Sequence, residues 1–354
     1  MLILGIETSC DETGVAIIED NRVIHADMVL SQIKDHEIFG GVVPEIAARA
    51  HLDHLDKLII ACLKKANIDG TKLDGIAAVC GPGLIGGVMV GMMAGKAMAA
   101  ALDKPFLAVN HLEAHLLSPR LIENIEFPYL VLLVSGGHSQ ILLVKGIGQY
   151  ELWSTTRDDA AGECFDKAAK LMGLPYPGGP NLEKFALKCD SAEKALHEFP
   201  FSIPMEHSSD MDFSFSGLKT AVRNEIDKMS VENTLPEDRL ARLAFSFQNI
   251  IAKTLSHRSA MAMKKFKSIY SAASPAFIVC GGVAANQTIR SALTKTCEQQ
   301  QFKFMAPPLE YCTDNGAMVA WAGIELLKAG RISELDVKAR PRWPLEEMNT
   351  EMSA

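Results

Sequence analysis

Two stretches of the chain follow one plan, and that repetition limits the fold more than any other feature. Residues 2–20 read LILGIET, SCDET, GVAIIED, two apolar runs of β type about a small polar bend. Residues 129–146 repeat the plan as YLVLLV, SGGHS, QILLVKG. A second pair of echoes lies further along. GIAAVC runs into GPGLIGG over residues 75–87, and AFIVC runs into GGVAANQ over residues 276–287, each an apolar strand entering glycines that open a helix. A glycine turn between a strand and a helix N-terminus presents backbone N–H groups to an anion. The chain is therefore expected to be built twice, as an α/β protein with two lobes and a central cleft.

Length agrees, since 354 residues exceed one ordinary core and suit two domains. Helices are expected at 44–65, 84–102, 111–123, 160–172, 286–301 and 315–328. We place the first lobe at 1–125, joined by a C-terminal helix at about 321–345, and the second lobe at 126–320. Residues 190–230 have weak periodicity and are expected to be an insertion of short helices and loops.

Hydrophobic residues make up 48% and charged residues 22%, a globular composition. The start, MLILGIETSCDETG, has no basic n-region and reads as neither a secretory signal nor a transit peptide. Residues 83–102 form the longest apolar run, but they are rich in Gly and Ala and are read as a buried helix, with no membrane association expected. The eight cysteines include no C-x-x-C pair, which argues against a zinc ribbon or disulfide scaffold and for the reducing cytoplasm. A net charge of −8 offers no general field for a phosphate backbone.

NHLEAH (110–115) sets His111 and His115 four apart, stacking two imidazoles on one helix face where both can ligate one transition ion. The bland alternative is two half-exposed histidines at a helix start. A zincin has H-E-x-x-H, with glutamate as general base beside the metal. Here Glu113 sits midway, roughly 160–200° from the histidine face at about 100° per residue, so it is misplaced for peptidase chemistry. TDNGAM (313–318) puts Asp314 ahead of a helix, either as a third ligand or as an N-cap. SGGHS lets a ligand approach the backbone of Gly136 and Gly137, with Ser135 and Ser139 as hydroxyl donors, or is a plain hairpin turn. Asn286 suits a ligand contact or a helix cap. Asp166 suits ribose hydroxyls or a surface pair with Lys167 or Lys170. The acidic turn holds Glu7, Asp11 and Glu12, fit to bind a metal, take a proton or repel a wrong substrate.

In order along nearly the whole chain stand GIETSCDETGVAI, GGVVPEIAARAH, CGPGLIGGVMVG, NHLEAH, LLVSGGHSQ, DDAAGECFDKAAKLMGLPYPGGP, DFSFSGLKT, CGGVAAN, CTDNGAM and PRWPL. Together they resemble the bacterial TsaD family, the tRNA N6-adenosine threonylcarbamoyltransferases. The resemblance implies the actin-like ATPase fold with a duplicated ribonuclease-H-like core. It implies transfer of threonylcarbamoyl from threonylcarbamoyl-AMP to N6 of the adenosine at position 37 of tRNAs reading codons that begin with A, releasing AMP. It also implies one divalent metal, Fe(II) or zinc, held by His111, His115 and Asp314.

By the same resemblance, Leu133, Val134, Ser135, Gly136 and Gly137 contact the threonylcarbamoyl and phosphate end of the donor. Asp166, Gly179 and Asn286 hold the adenylate, Glu183 the ribose, and Asp11 and Glu12 serve transfer. Implied partners are tRNA, an inactive paralogue, TsaB, and a P-loop ATPase, TsaE. The chain departs from the family pattern at Ser139, where threonine is common, at Ala284 in place of serine, and in a longer stretch SIYSAASP (268–275). The rival readings are a metallopeptidase and an ATPase or sugar kinase of the same fold.

Overall fold

The computed structural model describes residues 1–39, 41–230, 236–271, 274–308, 311 and 313–349. Its chain divides into two compact units, residues 1–127 with 144–151 and 307–354, and residues 128–143 with 152–306.

The first unit opens with the expected hairpin, β1 (Leu2–Glu7) and β2 (Glu12–Glu19), followed by β3 (Ile24–Ser31), α1 (Ile33–Glu37) and α2 (Pro44–Ala66). α2 starts at a proline, whose missing N–H costs nothing there, and ends at Asn67 in the left-handed conformation, whose N–H reaches Leu63 and Lys64 carbonyls. Then come β4 (Gly75–Gly81), α3 (Ile85–Leu102), β5 (Phe106–Asn110), α4 (His111–Leu117) and α5 (Pro119–Ile122). The expected single helix over 111–123 is broken because Pro119 has no N–H for the His115 carbonyl, and the Ser118 hydroxyl donates to that carbonyl instead at 3.1 Å.

The second unit, with 144–146 of β7 and 149–151 of β8 counted in the first, holds β6 (Tyr129–Val134), β7 (Ser139–Gly146), β8 (Gln149–Ser154), α6 (Ala161–Leu171), α7 (Gly178–Ala186), α8 (Ala192–Glu198), α9 (Ser216–Ser230) and α10 (Glu237–Ile269). β9 (Ala276–Cys280), α11 (Gln287–Gln300) and β10 (Lys303–Met305) complete it. The 33-residue α10 is not among the helices expected from sequence. Its buried stripe mixes Ser246, Gln248, Thr254, Arg258 and Ser259 into the apolar positions, which blurs an apolar-only period. Within 190–230, α9 is a full 15-residue helix rather than a short one.

The last helix, α12 (Gly316–Lys328), belongs to the first unit. The chain returns there from Pro307, ahead of the 321 expected from sequence, because β10 ends on the edge of its sheet and the following segment leads to a helix packed on β1, β2 and β4.

The two sheets repeat one topology. The first has order β3-β2-β1-β4-β5, the second β8-β7-β6-β9-β10. In the first, β1, β4 and β5 run parallel, and β2 is antiparallel to both its neighbours, β1 and β3. In the second, β6, β9 and β10 run parallel. Alternation in β1 sends Ile3 and Gly5 toward α12 and Ile6 toward α3. A Cβ on Gly5 would sit 2.3 Å from the Ala320 nitrogen, so α12 lies on bare backbone. α3, expected as a buried helix, buries only the stripe Gly87, Val88, Gly91, Met92, Gly95 and Ala99. Its other face exposes Ile85, Met89 and Met93. By length and composition, α3 alone among the helices of the described residues passes for a membrane span, a test that core helices also pass.

Candidate active site and metal centre

In the first unit, the site elements emerge where the parallel strands end: the acidic turn after β1, the glycine turn after β4 and the histidine helix after β5. Loops at the carboxyl ends of parallel strands are where open α/β sheets bind ligands.

Asn110 caps α4 by accepting from the Leu112 and Glu113 N–H groups, and its amide donates to the Trp343 carbonyl at 2.9 Å. That cap starts the helix at His111. Four residues on, His115 lies on the same face, with the ring centroids 4.7 Å apart at 88°. Asp314 meets both, its Oδ1 lying 3.0 Å from His115 Nε2 and 3.6 Å from His111 Nε2. The capping alternative for Asp314 fails, because Asn315 caps α12 by accepting from the Met318 N–H.

One ligand atom from each of these three residues lies within 4.8 Å of the others, a fit for one divalent cation. Two further observations support that fit. Both Nε2 atoms face one carboxylate oxygen, and His111 Nδ1 is already taken by Glu7 Oε2 at 3.0 Å and Ser9 Oγ at 3.1 Å. Ligating histidines commonly have their second nitrogen held by a carboxylate in this manner.

Sequence places Glu7 in the acidic turn without singling it out. It is fully buried, and its Oε1 accepts from the Ser9 N–H at 2.5 Å. The available signal is a carboxylate ending a wholly apolar strand, since a buried charge requires a partner. Burial pulls the His111 pKa down, but the Asp314 and Glu7 carboxylates overcome it and push it up to about 9.

Glu113 lies opposite the histidines, as its spacing predicts, and accepts from the Tyr150 hydroxyl at 2.6 Å. Asp11 lies on the turn leaving β1, and Glu12 opens β2 beside it. Burial first, then the charges of Asp314 and Asp11, raise Glu12 to about 9, and Glu12 is hydrogen-bonded to Asp11. Cys10 beside them is held as a thiol, its pKa raised by burial and by Asp11. The seven cysteines among the described residues are free, and Cys312 lies outside them.

In the second unit, β6 and β9 are parallel neighbours, Leu133 opposite Cys280. Their following loops, Ser135–His138 and Gly281–Asn286, therefore leave the same end of the sheet. Leu133 and Val134, at the end of β6, are buried, so the exposed part of this stretch begins at Ser135. Ser135 Oγ accepts from the Gly137 and His138 N–H groups, bracing the turn. Nothing lies within 4 Å of a Cβ placed on Gly136 or Gly137, which leaves open room there. Ser139 is turned inward, its hydroxyl accepting from the Ala161 N–H at 2.9 Å.

Asp166 takes neither lysine. Its Oδ1 accepts from the Gly178 N–H at 2.8 Å, the carboxylate is also hydrogen-bonded by the Gly179 backbone, and burial raises the pKa of the group. Lys167 pairs instead with Asp159 and Glu163. Glu183 accepts from the Gln287 N–H at 2.7 Å. Asn286 performs the cap its position suggested, accepting from the Ile289 N–H at 3.0 Å and donating to Gln248. The structure thus gathers His111, His115, Asp314, Asp11 and Glu12 in one unit and the remaining predicted site residues in the other.

A sequence model of the TsaD family, tRNA N6-adenosine threonylcarbamoyltransferase, matches residues 23–321. A protein of that name from Sinorhizobium medicae (strain WSM419) is 52% identical over 352 residues, covering 98% of this chain and 96% of the relative. Another from Brucella abortus (strain S19) is 50% identical over 353 residues, covering 98% and 96%. Among solved structures, T. kodakarensis HypF matches with a TM-score of 0.60 at 16% identity, covering 93% of this chain and 48% of HypF. Component A of the Acidaminococcus fermentans (R)-2-hydroxyglutaryl-CoA dehydratase matches with a TM-score of 0.51 at 15% identity, covering 93% and 99%. These structural likenesses carry the fold, which is that of the actin-like ATPases.

Proposed function

The chain belongs to the TsaD family of tRNA N6-adenosine threonylcarbamoyltransferases, and from that premise we propose how its own residues divide the reaction. Threonylcarbamoyl passes from threonylcarbamoyl-AMP to N6 of the adenosine at position 37 of tRNAs reading codons that begin with A. A C–N bond forms at the carbamoyl carbon, the bond from that carbon to the phosphate oxygen breaks, AMP leaves, and the amine gives up a proton.

Asp11 takes that proton. Glu12, raised to about 9 by burial and its acidic neighbours, keeps its proton at pH 7 and is hydrogen-bonded to Asp11. Two carboxyls with divided roles suit a weak amine nucleophile. His111, His115 and Asp314 hold one divalent metal, Fe(II) or zinc, which when bound supplies a Lewis acid and a fixed point for an oxygen ligand. The backbone of Leu133, Val134, Ser135, Gly136 and Gly137 receives the threonylcarbamoyl and phosphate end of the donor. Asp166, Gly179 and Asn286 hold the adenylate and Glu183 the ribose. The open space over Gly136 and Gly137 supports the first assignment. The second requires the Asn286 amide to share its present partners with the ligand.

Partner proteins supply what a net charge of −8 does not. TsaB docks in the groove between α2 and α3, about 730 Å³ in volume, where Leu52, Ile60, Met89 and Met93 are exposed. TsaE acts with that pair, and the reaction takes place in the cytoplasm.

The observation that carries the metal assignment is the meeting of His111, His115 and Asp314, with Glu113 turned to Tyr150 instead of toward them. The test is transfer of radiolabelled threonine into unmodified tRNA, with the donor-forming synthase, TsaB and TsaE present, comparing wild type with His111→Ala. Label entering tRNA only with the wild type supports the reading. Peptide cleavage by the purified chain, or phosphate release without tRNA, would replace it with a peptidase or an ATPase.

A further inference from the structure

We propose that His51 is a positioning residue for the Asp11–Glu12 turn, acting through the carbonyl of Cys10. This rests on the reading that Asp11 and Glu12 act in transfer.

Three successive carbonyls of the turn are each claimed by a different segment. Ser9 accepts from the Leu84 N–H at 2.8 Å and Asp11 accepts from the Gln32 N–H at 3.0 Å. Between them, Cys10 accepts from His51 Nε2 at 3.1 Å. The outer two donors are backbone groups, so the middle one alone depends on a side chain.

The hydrogen-bond pattern fixes the state of that ring. A carbonyl only accepts, so Nε2 carries the proton and Nδ1 is bare. Accordingly Nδ1 faces two donors, the Thr13 hydroxyl at 2.8 Å and Gln32 Nε2 at 3.4 Å. The far end of this run of hydrogen bonds reaches the same assignment independently. The Val43 N–H donates to His36 Nδ1 at 3.2 Å, which leaves His36 Nε2–H to donate to Gln32 Oε1, also at 3.2 Å. That orients the Gln32 amide with its nitrogen toward His51. Every donor from Val43 to Cys10 therefore points the same way, an arrangement in which successive bonds polarise one another.

Gln32, His36, His51 and Thr13 are each at most 2% exposed. A position needed only to fill space there would be filled more favourably by an apolar side chain, because each buried polar atom requires its own partner. Burial also lowers the His51 pKa, which keeps the ring neutral. From the opposite side, a Cβ on Gly87 would meet the Thr8 carbonyl at 2.3 Å and the His51 ring at 3.1 Å, so α3 confines both turn and ring. Holding the Cys10 carbonyl fixes the peptide plane from which Asp11 departs. A displacement of about 1 Å in a reacting group can cost about 100-fold in rate.

The test compares His51→Leu with His51→Gln, which retains a side-chain N–H for the carbonyl, in the reconstituted reaction with donor, tRNA and partner proteins. The expected result is a kcat about 10- to 100-fold lower for His51→Leu, with KM for tRNA within about 3-fold of wild type and most of the loss recovered by His51→Gln. In an Asp11→Asn background, His51→Leu should cost less than about 3-fold more, because both act through one turn. A wild-type kcat in His51→Leu, or no recovery by glutamine, overturns the proposal. Should His51→Leu not fold, 15N-imidazole NMR of the unaltered protein decides: the proton must sit on His51 Nε2 from pH 6 to 8, and a proton on Nδ1 overturns it. Undiminished transfer by both Asp11→Asn and Glu12→Gln would instead overturn the role of the acidic turn. Their impairment with His51→Leu intact would overturn this inference alone.

Discussion

Tyr150 donates its hydroxyl proton to Glu113 at 2.6 Å, and that bond occupies the carboxylate lying between the two histidines in sequence. One turn of α4 therefore separates two kinds of chemistry. Its outer positions, His111 and His115, face Asp314, while its middle position is buried as a structural anchor.

Removing the donor from that anchor should destabilise the fold without altering the reaction. Tyr150→Phe is expected to cost about 1–3 kcal/mol, the typical penalty for depriving a buried acceptor of a partner. Chemical denaturation measures it. An unchanged midpoint would show that the bond contributes nothing. Glu113→Gln, which still accepts from Tyr150, should keep its metal and its transfer activity.

Metal binding should depend on Glu7 as well as on the three ligands. Replacing any one of His111, His115 or Asp314 with alanine should abolish stoichiometric metal. Glu7→Gln should retain metal at an affinity about 10- to 100-fold weaker, as expected when the group orienting a ligating histidine is altered. Chelator competition reads this directly, and wild-type affinity in Glu7→Gln would contradict it.

The metal-free protein should lose stability as pH rises. His111 is raised from 6.5 to about 9 in the fold, so its contribution is fully present below 6.5 and lost on approaching 9. Glu12 is raised from 4.5 to about 9, so the folded state holds a proton that the unfolded chain has released, and stability again falls across that window. Thermal melts between pH 6 and 9 test the sign. Because His111 must be neutral to ligate, metal uptake over the same range should release protons and tighten as pH increases.

The exposed face of α3 should matter to partners and not to folding. Met89→Asp and Met93→Asp lie at positions that are 48% and 54% exposed, where substitutions usually change stability by less than about 0.5 kcal/mol. On the proposal that TsaB docks there, its binding, followed by size-exclusion chromatography, should be lost in the double variant while the melting temperature is retained. Retained binding would move the docking surface elsewhere.

Much of this protein is legible in its amino-acid order. The two hairpins and two strand–glycine–helix units declare an internal duplication, and the sheets repeat one strand order as that implies. Local periodicity suffices because each unit is a short run of apolar residues punctuated by glycine. The helix spacing of NHLEAH likewise places the two histidines together and Glu113 apart, since 3.6 residues per turn leaves no alternative. Pro119, which breaks the helix expected over 111–123, is itself a local signal, whereas α10 and α3 differ from expectation for reasons of packing. α10 buries polar residues, of which Ser246, Gln248 and Arg258 find partners elsewhere in the chain, and α3 leaves exposed an apolar face indistinguishable in sequence from a core.

The sequence by itself determined which residue types occupy each turn, which side of a helix they face and, through its motifs, the family. Tertiary structure alone decided their partners. Asp314 lies 199 residues from His115 and meets it only because α12 packs beside α4 on the β1–β5 sheet. Asn286 and Asp166, which sequence places only at a helix start and on a helix, take particular amide partners in the fold, the Ile289 N–H and the Gly178 N–H. Glu7 becomes meaningful once the parallel strands β1 and β5 carry it and His111 to the same end of the sheet. The physical reason is range. Backbone geometry fixes neighbours within a turn or a strand, whereas hydrogen bonds and charge pairs between distant residues exist only after apolar burial has brought their elements together.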